Sequence, residues 1–179
     1  MSKNSQNRMI GELLKKCGAV KTGKFILASG KESSYYVDIK KASTSPEILK
    51  EIGKELAKRI ESSTNKIACV ELGAVPLAVA ASLEAKIPFV IIRKQPKGHG
   101  TNKLIEGDVA RGERITIIED VTTTGTSVAK AVDILRDAGA SVEEVLVVVD
   151  REEGASELLA NKKVKLVPII KASEITNNL

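Results

Sequence analysis

Aromatic residues are almost missing from this chain. Its 179 residues include two tyrosines, two phenylalanines and no tryptophan. A surface that stacks nucleobases needs more rings than that, so nucleic acid is a weak candidate partner even though the net charge is +5. The cations are also dispersed, apart from one loop considered below. No apolar run approaches the roughly 20 residues that cross a bilayer. The opening stretch "MSKNSQNRMIGELLKK" lacks the apolar middle of a secretory signal. No membrane role and a cytoplasmic location are the expectation. Histidine occurs once and cysteine twice, and the cysteines form no CxxC or metal-ligand spacing. Cys17 shares a helical face with Ile10, Leu13 and Leu14, which predicts a packed, reduced thiol. Two common nucleotide signatures, GxxxxGK followed by Ser or Thr and a GxGxxG after a strand, are absent too.

What is present is ordinary for a globular protein, with 42% hydrophobic and 28% charged residues. The length suits one domain with a real core. From residue 66 onward, apolar runs alternate with helical patterns. "KIACVEL", "PFVIIRK", "RITIIED", "EEVLVVVD" and "VKLVPII" read as strands, while "PLAVAASLEAK", "SVAKAVDILRDAG" and "ASELLAN" read as helices. Short apolar runs without polar alternation suit strands covered on both faces, as in a parallel sheet. Val128, Val132 and Leu135 form one stripe of a helix that stops at Gly139. These patterns predict an α/β domain with a mainly parallel, doubly wound sheet.

Residues 1–65 read differently. One amphipathic helix covers residues 6–17, and a second starts with Ser45 as cap and Pro46 at the first helical position. Ile48, Ile52, Leu56 and Ile60 line the second helix. Between the two, "KFILASGKESSYYVDIK" predicts a hairpin around Ser29 and Gly30. The segment is too small to stand alone. It is expected to form a helix and hairpin hood over one end of a core spanning residues 66–179, within a single domain of residues 1–179.

The stretch "IIEDVTTTGTS" carries the chemistry. In open α/β sheets, ligands bind beyond the carboxyl ends of the strands. Here the apolar strand ends in Glu119 and Asp120, and Thr122, Thr123, Thr124, Gly125, Thr126 and Ser127 lead into a helix. Backbone N–H groups and hydroxyls at a helix start suit phosphate. The acids, which only accept hydrogen bonds when ionised, must face another part of the same ligand, such as vicinal sugar hydroxyls or Mg²⁺. A ribose 5-phosphate unit satisfies both halves. A strand-to-helix turn with solvated acids is the bland alternative.

"ITIIEDVTTTGTS" resembles the phosphoribosyl pyrophosphate (PRPP) motif of the type I phosphoribosyltransferases, and the resemblance implies that family's fold. It also implies that Glu119 and Asp120 contact the ribose hydroxyls, while the segment from Val121 through Ser127 wraps the 5-phosphate. Two further segments resemble those of orotate phosphoribosyltransferases. "RKQPKGHG" is the one dense basic cluster and is similar to that family's cationic loop. A loop of this kind suits a pyrophosphate leaving group, on which charge accumulates in the transition state. "FILASGKESSYYVDIK" is similar to the family's N-terminal motif, whose aromatic pair lines the orotate pocket.

The resemblance implies PRPP binding by Arg93, Lys94, Lys97 and His99, and catalytic roles for Lys94, Lys97, His99 and Asp120. Orotate would meet Tyr35, Tyr36, Thr123 and Arg151, the last within "DREEG". Mg²⁺ is implied as cofactor, held mainly by PRPP and not directly by protein side chains. A homodimer with shared active sites is implied as well. The chain departs from the family pattern at Ala28, and at Leu72 and Gly73, where many members carry lysine or a Tyr-Lys pair. A phosphoribosyltransferase for another base, or a non-catalytic PRPP-sensing regulator, remains open at this level.

Overall fold

Alternation within single strands explains the architecture of this chain, seen here in a computed structural model that describes residues 3–26, 32–95 and 103–176. In β3 (Lys66–Val70), Ile67 and Cys69 join one apolar cluster, while Ala68 and Val70 join another. In β6 (Arg114–Thr122), Ile115 and Ile117 belong to the second cluster and Ile118 to the first. Successive side chains on a strand point to opposite faces. A strand apolar on both sides therefore needs helices on both sides.

Those helices are supplied by the connections. The strands β4 (Phe89–Ile92), β5 (Ile105–Glu106), β7 (Ser141–Asp150) and β8 (Lys165–Lys171) complete a six-stranded sheet of order β5-β4-β3-β6-β7-β8. All neighbours are parallel except β4 and β5. Helices α1 (Lys3–Lys16), α2 (Ile39–Ser43), α3 (Pro46–Ala57) and α4 (Val75–Ala85) pack on one face, with Ile10, Ile39, Ile52 and Leu77 buried there. Helices α5 (Thr126–Asp137) and α6 (Ala155–Asn161) cover the other through Val132, Leu135 and Leu159. The final short helix is α7 (Ala172–Thr176), whose Ile175 joins the first cluster.

The stop at Gly139 is a Schellman closure. With φ of 91° at Gly139, its N–H donates to the Arg136 carbonyl at 2.9 Å and the Ala140 N–H donates to Leu135 at 3.1 Å. Ser45 does precede α3 in an extended conformation, but its hydroxyl bonds Glu47 at 3.2 Å and makes no capping bond. In the hood, β1 (Val20–Ile26) pairs antiparallel with β2 (Glu32–Val37). The turn placed at Ser29 and Gly30, together with Ala28, lies outside the described residues. Two features differ from the sequence-based expectation. The stretch between "PFVIIRK" and "RITIIED", given no strand above, contains β5, whose Ile105 and Glu106 pair with Ile92 and Ile91. β6 also runs two residues past the acids, to Thr122, because β7 pairs with it as far as Asp150. Among the described residues, no helix is long and apolar enough to cross a membrane.

Candidate active site

The carboxyl end of β6 and the start of α5 form the centre of the site. Gly125 caps α5 with φ of 78°, a left-handed conformation that glycine adopts without strain. A Cβ there would also lie 3.0 Å from the Ala155 Cα, so the loop sits tightly on the start of α6. Thr123, Thr124, Thr126 and Ser127 are exposed, and the Thr124 and Thr126 hydroxyls share a 3.0 Å hydrogen bond. Thr122 differs from its neighbours. It is buried, and its hydroxyl donates to Asp150 at 3.1 Å. Only its backbone is left to face a ligand.

Glu119 is buried, whereas Asp120 is half-exposed. Each acid carboxylate accepts the next backbone N–H: Asp120 to Glu119 at 3.0 Å, and Val121 to Asp120 at 2.8 Å. Burial, followed by the hydrogen bond and charge of Asp120, holds the Glu119 carboxyl well above its ordinary value of 4.5. The Lys94 ammonium of the same chain pulls it part of the way back. Cys69 pairs in register with Ile118, next to Glu119, and its thiol, pushed up to about 12 by burial and by Glu119, is inert.

The raised Glu119 carboxyl has a consequence for stability. Below its unfolded value, Glu119 is protonated in both states and costs nothing. As pH rises, the unfolded chain ionises freely while the fold resists, so stability falls. Glu119→Gln removes that cost. At neutral pH its thermal midpoint should exceed the parent's. The gain should vanish toward about pH 4. Thermal melts across this range check it, and an equal gain at both ends would refute the cause.

Opposite Asp120 stands the loop after β3. A Cβ built on Gly73 would fall 2.1 Å from Asp120 Oδ2, so the bare backbone of Gly73 abuts the acid. The Glu71–Leu72 peptide in this loop is cis. Glu71 Oε1 accepts the Lys94 backbone N–H at 2.8 Å, where the basic segment leaves β4. Lys94 itself is exposed. Arg93 is tied to β5 through Glu106, at 3.3 Å. Lys97 and His99 lie outside the described residues.

Arg151 follows β7 and is 8% exposed. Its backbone N–H donates to the Thr122 carbonyl at 2.9 Å. The guanidinium lies 4.9 Å from the Tyr35 ring centroid, donates to Glu153 at 2.8 Å and reaches the Ser33 hydroxyl at 3.3 Å. Tyr35 is shifted upward by burial, against the opposing pull of Arg151. The tyrosine pair is split. Tyr36, 42% exposed, packs instead on Phe25 with centroids 5.6 Å apart. Adjacent residues of β2 face opposite sides, so the strand cannot bring both rings to Arg151.

With this geometry in view, residues 38–175 match the model of the phosphoribosyl transferase domain. The chain belongs to the phosphoribosyltransferase family. Orotate phosphoribosyltransferase of Thermoplasma volcanium is 54% identical over 167 residues, covering 93% of this chain and 99% of its own. The enzyme of that name from Methanocaldococcus jannaschii is 52% identical over 163 residues, covering 91% and 93%. The solved orotate phosphoribosyltransferase of Aeropyrum pernix superposes with a TM-score of 0.85 at 36% identity, covering 95% of this chain and 97% of that one.

For a phosphoribosyltransferase built this way, several supporting residues were invisible in the sequence. Glu71 and Asp150 read as strand-end acids, and Glu106 falls between the strands read from the sequence. Each earns its place only through a partner distant in the chain: Lys94, Thr122 and Arg93. Gly73 read as an absent lysine, while the structure shows it as a close approach. For the three acids, a position at or just past a strand's carboxyl end is the one signal, and it is weak.

Proposed function

We propose that this phosphoribosyltransferase converts orotate and PRPP to orotidine 5′-monophosphate and pyrophosphate, in the de novo route to UMP. The observation that carries the reading is the tether between the two half-sites. Arg151, a buried guanidinium stacked on Tyr35, is bonded through its own N–H to Thr122, which opens the phosphate loop. A planar base bearing a carboxylate suits a guanidinium fork and a ring edge together. The names of the similar enzymes point the same way.

In this reading, Val121 through Ser127 bind the 5-phosphate by backbone N–H groups and the hydroxyls of Thr123, Thr124, Thr126 and Ser127. Glu119 and Asp120 accept hydrogen bonds from the ribose hydroxyls. The C1–oxygen bond to pyrophosphate breaks as the orotate ring nitrogen bonds C1 from the other face; the leaving group takes the bonding electrons, and the nitrogen gives its proton to pyrophosphate or solvent. Lys94, with Lys97 and His99, offsets the charge growing on that group, and Arg93 anchors the strand end from which they extend. Thr123 and Arg151 orient orotate against Tyr35, and Tyr36 braces the hairpin through Phe25. No protein nucleophile is required, so catalysis rests on positioning and electrostatics.

Mg²⁺ suits the phosphate and hydroxyl oxygens of PRPP, which would hold it with no side chain of this chain bound to it directly. When bound, it supplies charge neutralisation at the pyrophosphate. Two copies of the chain would pair through exposed apolar groups of α4 and the loop before it, since Leu72 and Leu83 are each 75% exposed and Val79 is 37% exposed. The hood and core act here as one domain, joined by an apolar cluster that contains both Ile10 and Leu146.

The test is product formation from PRPP with orotate, adenine, xanthine or uracil offered separately. Orotidine monophosphate alone is expected, and turnover of another base in its place would overturn the reading. Arg151→Lys keeps the charge but loses the fork. It should raise the orotate KM on the order of tenfold while leaving that of PRPP nearly unchanged.

A further inference from the structure

We propose that Glu71 is a positioning residue whose carboxylate replaces a backbone rung between β3 and β4, fixing Lys94 and the Gly73 loop in one arrangement. The inference deepens the proposed function and rests on it for its kinetic arm.

In a parallel ladder, a residue donates its N–H to one neighbour carbonyl and accepts, through its own carbonyl, from the N–H two residues further on. The β3–β4 register runs to Val70 opposite Ile92. Glu71 makes the first half of the next rung, donating to the Ile92 carbonyl at 2.9 Å. The N–H two residues beyond Ile92 is that of Lys94, and it bonds Glu71 Oε1 at 2.8 Å. The side chain has taken over the acceptor's part.

The substitution matters because of where the backbone goes instead. After Glu71 the chain turns off the sheet, places Gly73 against Asp120 and enters α4. A strand that continued straight would keep the rung but lose that approach. One that turned without Glu71 would release Lys94. On its other side, Arg93 donates its N–H to Leu104 at 2.8 Å, so the two N–H groups at the exit of β4 are held from both flanks. A negative charge beside a pyrophosphate site is otherwise unhelpful. A carboxylate bonded to a fixed N–H has a positional reason to be there.

Two variants separate position from charge. Glu71→Gln keeps an acceptor oxygen at the same reach and removes the charge. Glu71→Asp keeps the charge and withdraws the acceptor by about 1.5 Å, one carbon–carbon bond. Glu71→Gln should retain at least about a third of kcat/KM for PRPP, and Glu71→Asp should lose about tenfold or more, mostly in kcat. Backbone hydrogen exchange at Lys94, read without any substrate, should be slow in the parent and in Glu71→Gln and roughly tenfold faster in Glu71→Asp. The reverse kinetic order, equal loss in both variants or no loss in either would overturn the proposal. So would fast exchange at Lys94 in the parent chain. If no base were turned over, the proposed function would fail, and the exchange result would still decide the rung.

Discussion

Gly73→Ala should lower kcat/KM for PRPP about a hundredfold, the penalty of moving a catalytic group by roughly 1 Å. The added methyl would sit 2.1 Å from Asp120 Oδ2 and 2.9 Å from its Cγ, distances at which something must move. What yields is the carboxylate or the loop facing it. Either shift displaces Asp120 from the position in which it would meet a ribose hydroxyl. The backbone of Gly73 is not in the left-handed region, so the cost comes from contact and not from strain. Stability should change little, because the disturbed group is half-exposed at the rim of the sheet. Gly11→Ala is the control: its Cβ would meet only Ile170 Cδ1, at 3.5 Å, and a helical alanine is favoured. Steady-state kinetics with both variants decide it. Wild-type kcat/KM in Gly73→Ala would show that the approach to Asp120 is idle.

Gly73 also shows where sequence reasoning stops. The strands from residue 66 onward, the two acids, the threonine loop and the stop at Gly139 were legible because each is local. Apolar runs, a capping glycine and a helix stripe depend on neighbours a few residues away. The orientation of Tyr36 was legible in principle, since strand alternation alone separates it from Tyr35. Other features depend on the tertiary fold. Thr122 could not be told from Thr123 until β7 brought Asp150 to it. The two-residue strand β5 carries no periodicity of its own and exists through Ile91 and Ile92. Glu71 reads as an acid at a strand end until the fold brings the Lys94 N–H beside it.

Lys94 and Lys97 belong to one basic segment, yet their removal should have different outcomes in mixed dimers. Lys94→Ala should cost about 2–4 kcal/mol of transition-state stabilisation, by analogy with other electrostatic donors. That is roughly a 30- to 1000-fold loss in kcat/KM. The Lys94 backbone is bonded to Glu71 of its own chain, whose loop lies against its own Asp120, so Lys94 is expected to serve that site. A dimer of one Lys94→Ala chain and one Asp120→Ala chain then has a defect in each site, and mixing should restore nothing. If the segment beyond Lys94 crosses to the neighbouring subunit, as the family resemblance implies, Lys97→Ala behaves otherwise. Paired with Asp120→Ala, it gives one site with both defects and one with neither. Random exchange makes half the dimers mixed, so about a quarter of parental activity should return. Recovery from the Lys94 pair would place Lys94 across the interface. No recovery from the Lys97 pair, after subunit exchange is verified, would confine the whole basic segment to its own site.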